Sequence, residues 1–359
     1  MTERLSPNPE SFPWLIRISG VFEGWTEEIM SRLGATPVKK LGQEYHLVRM
    51  ADPGLLREAD EAMFVRWNLP VQHSWPCCPQ KMEDFVERAA QALWRKFGAM
   101  KPQTVQVGVL HPGAAHPYYK HLAVNLRGRT MQLFPPFDIS TQDVEGQNPD
   151  APTLFCMVGK EGLFAGMQSP GDSNGFYPGG TKYVSRNIPG TISRAGAKIA
   201  ESLHDLLLHR RMAPGAGHWL ELGASPGGMT SELLARGYHV TAVDRAPLDA
   251  RLDRAPDLTF VRAGVADFLA PDGEIYDAML CDLNGDARDS IRHVMRLSRH
   301  LKRDGLVVFT LKMPGIDSVE DAVGLGREVM ALADSAGLRL IGRTHGSYNR
   351  REFTLFFGK

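Results

Sequence analysis

The chain has 359 residues, 43% hydrophobic and 23% charged, which is more than one ordinary core accommodates, since single cores stop growing near ~250–300 residues. That composition excludes a fibrous or largely disordered chain. Its 41 basic residues balance 41 acidic ones, so no whole-molecule field draws in a polyanion, and nucleic-acid binding would need a local basic patch.

Residues 1–12 carry Pro7 and Pro9 where a signal peptide needs an apolar core. No apolar run approaches the ~18 residues of a spanning helix, so the expected location is the cytoplasm, with no membrane partner. Residues 14–19 alternate as a strand, 26–33 have helical spacing and 44–49 alternate again, a small α+β module over residues 1–75. The breaker-rich stretch 72–79 reads as a linker. The cysteines, Cys77, Cys78, Cys156 and Cys281, lack C-x-x-C spacing, which predicts reduced thiols and no metal site; the adjacent Cys77 and Cys78 read as packing.

A second α+β module, residues 76–188, follows with a helix over 84–97 (apolar Phe85, Ala89, Ala92, Leu93, Phe97) and strands over 104–109, 121–126 and 152–158. The Gly- and Pro-rich text between Leu163 and Arg194 reads as an ordered connection, because Phe176, Tyr177 and Tyr183 need somewhere to pack. From Ser193 onward helices (195–208, 229–236) alternate with strands (218–222, 239–243, 258–262, 277–281, 306–311). Such alternation predicts an α/β domain, residues 189–359, built on an open, mainly parallel sheet with helices on both faces. The final strands, 338–343 and 352–357, are expected to form an antiparallel edge.

The chemistry concentrates in this last domain. Glu221-Leu-Gly-Ala-Ser-Pro-Gly-Gly228 follows a strand and opens a helix, where glycines let backbone N–H groups approach a ligand. Asp244, ending the next strand, suits hydrogen bonds to a ribose diol. Both a dinucleotide and S-adenosylmethionine present that diol. The loop, with Gly223, Ser225, Pro226, Gly227 and Gly228, is not G-x-G-x-x-G, and Glu221 adds negative charge near a sulfonium; both features favour S-adenosylmethionine. A strand-to-helix turn without a ligand is the plainer alternative. Asp282, ending strand 277–281, falls on the same carboxyl rim. Lys312 closes strand 306–311, Lys198 lies in the helix before the first sheet strand, and Glu352 opens the last strand. These make a Lys, Asp, Lys, Glu set, whose plainer reading is a buried ion-pair network.

In these motifs the chain resembles the FtsJ-like family of RNA ribose 2′-O-methyltransferases, and within it the ribosomal RNA large subunit methyltransferase M group. The resemblance is carried by Ser193-Arg-x-x-x-Lys198, Gly223–Gly228, Val243-Asp244, Cys281-Asp282, Leu311-Lys-Met-Pro314 and Arg351-Glu352. Upstream, Cys156 to Pro170 followed by Pro178-Gly-Gly resembles the end of that group's THUMP-type RNA-binding module. The likeness covers most of the chain and is weak before about Glu83. It implies a Rossmann-like class I methyltransferase domain, a seven-stranded sheet with an antiparallel last strand, and S-adenosyl-L-methionine as cofactor. It further implies transfer of methyl to a ribose 2′-hydroxyl of 23S ribosomal RNA (2′-O-methylcytidine type). Lys198, Asp282, Lys312 and Glu352 would be catalytic, with Lys312 as general base. An ordinary lysine, pKa ~10.4, is protonated at neutral pH, so that role also implies surroundings favouring the neutral amine.

The chain departs from the group's pattern at Glu221 (Asp expected), Ser225 (Cys expected), Ala195 (a hydroxyl expected) and Gly264, where an acidic residue is expected. Asp267 either substitutes for the last or caps a turn. For the RNA partner, Arg288, Arg292, Arg296, Arg299 and Arg303 recur at helical spacing and read either as phosphate contacts or as a solvated face with Asp286 and Asp289. Tyr118, Tyr119, Lys120, Arg127 and Arg129 offer stacking and charge upstream. Two other classes share parts of the pattern: a dinucleotide-dependent oxidoreductase, which has no use for the lysines, and a catalytically silent RNA-binding assembly factor.

Overall fold

The computed structural model describes residues 12–111, 117–135, 147–180, 191–210 and 217–359. Most of the N-terminal stretch 1–12, Tyr183, and the expected 188/189 boundary lie outside them. The chain divides into two compact units, Met1–Thr181 and Lys182–Lys359.

The first unit holds two four-stranded sheets. One is built from β1 (Trp14–Ile18), β2 (Ala35–Leu41), β3 (Tyr45–Met50) and β4 (Val65–Pro70), with helices α1 (Thr26–Arg32) and α2 (Leu55–Glu58) in its connections. Its order is β2-β3-β1-β4, every neighbour antiparallel. The other contains β5 (His73–Trp75), α3 (Phe85–Phe97), β6 (Thr104–Val109), α4 (Pro117–Leu133), β7 (Thr153–Gly159), β8 (Gly162–Gln168) and the short α5 (Pro170–Ser173), in the order β5-β8-β7-β6. Every residue of β7 is buried, and its two faces serve two cores. Leu154, Cys156 and Val158 pack with Leu93 and Phe97 of α3 and Leu126 of α4, while Phe155 and Met157 pack with Leu15, Trp67 and Leu69 of the first sheet. The period of two along the strand thus joins both sheets through one element.

Several sequence expectations fail here. Residues 121–126 are not a strand but lie inside α4, whose Tyr119, Leu122, Ala123, Leu126 and Thr130 are buried at helical spacing; a six-residue window reports either period. The stretch 72–79 is not a plain linker, because His73–Trp75 pairs antiparallel with Leu163–Ala165. That same pairing puts β8 where an irregular connection was expected. β2 escaped notice as a polar edge strand with only its end residues buried, and β4 because it buries Arg66 and Asn68.

The second unit runs α6 (Ala195–Leu206), β9 (His218–Leu222), α7 (Gly228–Ala235), β10 (His239–Asp244), β11 (Leu258–Arg262), β12 (Tyr276–Cys281), α8 (Ala287–Leu297), β13 (Leu301–Lys312), α9 (Val319–Ser335), β14 (Arg339–Thr344) and β15 (Glu352–Gly358). Its seven strands are ordered β11-β10-β9-β12-β13-β15-β14. β9 to β13 pair in parallel, and β15 runs antiparallel to both β13 and β14. The antiparallel pair is present, but only β14 is an edge; β15 is buried along Phe353–Phe357. The strand order reverses at β9, so the crevice where open α/β sheets bind ligands lies beyond the carboxyl ends of β9 and its neighbours. Leu220 and Leu222 lie wholly inside the core at β9, as do Met279 and Cys281 at β12, which makes the strand ends rigid mounts for the rim residues attached to them.

The five arginines at helical spacing do not form one face, since only Arg288, Arg292 and Arg296 lie on α8. The helix ends at Leu297, Arg299 lies in a single turn over Ser298–His300, and Arg303 lies in β13.

Candidate active site

The strand-to-helix loop is held open from below. Gly223, at φ 86°, donates its N–H to Val243 O at 3.0 Å, and a Cβ there would come within 3.1 Å of Asp282 O. The chain therefore passes between the ends of β10 and β12 only because it lacks a side chain at this point. The Ser225–Pro226 peptide is cis. Gly227, at φ 102°, caps α7 in the left-handed region, with Leu252 occupying the space a Cβ would need.

Asp244 fastens this loop. Its Oδ2 accepts from Ser225 N and its Oδ1 from Ala246 N, each at 2.9 Å, while Ser225 Oγ donates to Pro247 O at 2.9 Å. The carboxylate thus ends β10 pointing toward the loop, with lone pairs remaining for a ligand hydroxyl. Glu221 is 1% exposed. Thr230 Oγ1 donates to its Oε2 at 2.7 Å. Burial, reinforced by the charges of Asp282 and Asp244, pushes its carboxyl up to about 8. With that elevation it does not supply the fixed negative charge expected from sequence.

The four residues of the Lys, Asp, Lys, Glu set come together although they are distant in sequence. Lys198 Nζ lies 3.0 Å from Asp282 Oδ1 and 2.9 Å from Glu352 Oε1. Lys312 Nζ lies 3.2 Å from the same Asp282 oxygen and donates to Asp282 O at 3.2 Å and Asn284 Oδ1 at 2.8 Å. Lys312 and Glu352 are direct cross-strand partners of β13 and β15. Lys198 is nearly buried, whereas Lys312 is partly open to a cleft that Asn284, Pro314, Arg350, Arg351 and Glu352 also line.

Gly264 is buried beneath Arg245 and Asp267: a Cβ there would lie 2.8 Å from Arg245 Nε and from Asp267 Oδ2. Asp267 N donates to Gly264 O at 3.0 Å, so Asp267 closes a turn after β11 while its side chain stays exposed.

Residues not singled out in the sequence complete the frame. On α6, Lys198, Glu201 and Asp205 form a buried polar stripe. Lys198 meets Glu352. Glu201 accepts from Ser347 N at 2.6 Å and Ser347 Oγ at 2.7 Å. Asp205 accepts from Thr344 Oγ1 at 2.9 Å. Asn349 then bridges, its Oδ1 accepting from Gly346 N at 2.8 Å and its Nδ2 donating to Glu352 Oε1 at 3.3 Å. Charged residues three and four apart among Ile199, Leu203 and Leu206 were the available signal.

The residues expected to contact RNA are largely committed elsewhere. Arg288 pairs with Asp286 and Glu328, and Arg292 with Asp289. Arg296 donates to Val265 O at 2.7 Å and Phe268 O at 2.9 Å, and Arg299 to His300 Nε2 at 3.1 Å. In the first unit Tyr119 is buried, Arg127 donates to Val105 O, and Arg129 pairs with Glu87, which it holds well below the usual carboxylate range at about 2.

Three carboxyl groups, Glu221, Asp244 and Asp282, stand close enough around the loop for two of them to raise the third. That arrangement suits a cationic ligand with a diol, as a sulfonium nucleoside is. Among the described residues no group of His, Cys, Asp or Glu could hold a metal ion, and no helix is long and apolar enough to cross a membrane.

The reversed terminal strand within a seven-stranded, otherwise parallel sheet, with a glycine loop after its first strand, defines a Rossmann-like class I methyltransferase fold. No protein-family model matches the chain. It is similar to curated proteins of the ribosomal RNA large subunit methyltransferase M group, the resemblance its motifs carry. Identity is 32% over 177 residues with the protein of Halorhodospira halophila, covering 48% of each chain. It is 28% over 240 residues with that of Azotobacter vinelandii, covering 59% of this chain and 64% of the relative. The chain thus spans about half the length of the first of these relatives and under two thirds of the second. The fibrillarin of Aeropyrum pernix, solved with natively bound S-adenosyl-L-methionine, is 15% identical over 60% of this chain and 85% of its own, at a TM-score of 0.35. The sheet order, not that likeness, defines the fold.

Proposed function

We propose that this protein is an S-adenosylmethionine-dependent RNA methyltransferase that modifies a ribose 2′-hydroxyl, its substrate being large-subunit (23S) ribosomal RNA. The observation that carries the reading is the convergence of Lys198, Asp282, Lys312 and Glu352 beside the Gly223–Gly228 loop, with Lys312 facing the open cleft. The names of the related proteins supply the RNA class.

The donor would be held by the loop Gly223, Ser225, Pro226, Gly227 and Gly228, by Asp244 toward its ribose, by Glu221 and Asp282 toward its positive charge, and by the Gly264–Asp267 turn. When bound, it supplies an electrophilic methyl group on sulfur. The protein's own part is to orient the acceptor oxygen and to receive its proton. In its unprotonated form Lys312 Nζ accepts the hydroxyl proton, and the resulting ammonium is stabilised by Asp282 and Asn284, its partners at 3.2 and 2.8 Å. Lys198 keeps the carboxylates of Asp282 and Glu352 fixed and charge-matched through the transfer. Residues 76–188 would serve as a THUMP-like module recognising folded RNA by shape, and the protein would work in the cytoplasm.

The test is labelled methyl transfer to total RNA from cells lacking the protein, followed by mapping of the modified nucleotide. Lys312→Ala is expected to abolish transfer while leaving S-adenosylmethionine affinity, read by calorimetry, within about twofold of wild type. Retained transfer removes Lys312 as the base; methyl on a nucleobase removes the ribose assignment; absence of transfer by the wild type favours a silent assembly factor.

A further inference from the structure

We infer that the cleft beside Lys312 contains a built phosphate-binding position at Arg350, which takes the RNA phosphodiester adjoining the target ribose; this rests on the RNA-ribose reading above.

Arg350 lines the same open cleft as Lys312 and Glu352 and precedes Glu352 by two residues. Its side chain is exposed, and among the described residues its guanidinium has no ion-pair partner. Its neighbour Arg351, which also lines the cleft, is already engaged with Asp317 Oδ1 at 3.0 Å. A planar cation left unpaired beside a reaction cleft is suited to a phosphate, which it can grip through two N–H groups.

The backbone that presents Arg350 is fixed rather than loose. Glu201, 1% exposed, clamps Ser347 through two short hydrogen bonds, and Asn349 clamps Gly346 at 2.8 Å. His345 Nε2 lies 2.8 Å from Arg350 O, tying the residue's own carbonyl back across the loop. A cation mounted this way loses less entropy on binding than one on a free loop. The geometry also resolves a deficit of charge. With Arg288 and Arg292 of α8 in surface ion pairs and Arg296 bonded to backbone oxygens, and the chain's basic and acidic residues balanced at 41 each, an unpaired cation at the cleft itself is the direct source of positive charge for a polyanion there. Glu201 is then a positioning residue, acting through the loop on Arg350 and Glu352.

The experiment compares wild type, Arg350→Ala, Arg350→Lys, Glu201→Gln, the double variant Glu201→Gln with Arg350→Ala, and the α8 control Arg292→Ala, with RNA affinity by fluorescence anisotropy across a salt series and steady-state methylation where turnover is seen. Arg350→Ala is expected to weaken RNA binding and raise KM for RNA by about three- to tenfold, with kcat and S-adenosylmethionine affinity unchanged. It should flatten the slope of log affinity against log salt by about 0.7, one phosphate contact on a single strand. Arg350→Lys restores most of the affinity, and Arg292→Ala changes nothing. Glu201→Gln is expected to raise KM in the same direction, with an effect not additive to that of Arg350→Ala. Unchanged RNA affinity and salt slope in Arg350→Ala overturn the inference, as does an equal loss in Arg292→Ala. If the wild type binds RNA and donor but transfers no methyl, the functional reading fails, while the binding series still decides the role of Arg350.

Discussion

Replacing Glu221 by Gln tests the buried carboxyl at the floor of the proposed donor site. Burial raises its pKa from 4.5 to about 8, and each unit is worth ~1.4 kcal/mol. The folded protein therefore retains a proton that the unfolded chain releases. Relative to an uncharged residue, stability is undiminished below about pH 4.5, falls as pH rises toward 8, and is level above it. The whole displacement amounts to about 4–5 kcal/mol, of which roughly 2–3 kcal/mol falls between pH 5 and 7. Glutamine keeps an oxygen for Thr230 Oγ1, which donates at 2.7 Å to the native carboxyl, and removes the titration. Urea unfolding of both proteins from pH 5 to 9 should show wild type losing stability against Glu221→Gln as pH rises. Parallel curves would refute the reasoning. If the sulfonium donor compensates this carboxyl, its binding at pH 7 releases a proton, and S-adenosylhomocysteine, which has no sulfonium, releases much less. Calorimetry in buffers of differing ionisation enthalpy reads that difference, and equal proton release for the two ligands argues against Glu221 as the group that meets the charge.

Gly227→Ala places a Cβ against Leu252 at a φ of 102°, and is expected to cost about 1–3 kcal/mol of stability and to weaken donor binding; thermal unfolding with and without S-adenosylmethionine measures both. Arg296→Ala breaks the two hydrogen bonds to Val265 O and Phe268 O and should destabilise the protein by about 1–3 kcal/mol without altering RNA affinity. Arg292→Ala, at a surface ion pair, should change stability by less than about 1 kcal/mol; a loss of RNA affinity in either variant would show that α8 faces RNA.

In the second unit the periodicities were strong because the inner strands β9, β10, β12 and β15 are largely buried on both faces and helices alternate with strands, so local pattern and tertiary environment agree. The strands at His218–Leu222 and Leu258–Arg262 fall where the sequence pattern puts them. The glycine loop and the ends of β10 and β12 were legible for the same reason: a rim residue follows the last apolar position of a buried strand. In the first unit local pattern and fold disagree. Residues 121–126 alternate like a strand yet their burial is set by α3 and β6 against α4, and β5 is recognisable only through its partner β8.

The sequence by itself determined the α/β alternation of the second unit, the glycine loop, and the place of Asp282, Lys312 and Glu352 at strand ends, because each follows from strand ends and turn chemistry within a short window; Lys198, inside α6, was singled out only through the family resemblance. Only the tertiary structure decided which of these charges touch. The bond of Lys198 to Glu352 spans α6 and β15, the elevation of Glu221 depends on burial together with Asp244 and Asp282, and the fate of each arginine depends on whether a carboxylate or a carbonyl lies within reach. Arg296 and Arg350 look alike in a sequence; the first is occupied by backbone oxygens, and the second stands exposed at the cleft. Electrostatic energy falls with distance and with solvent exposure, and neither quantity is defined until the chain has folded.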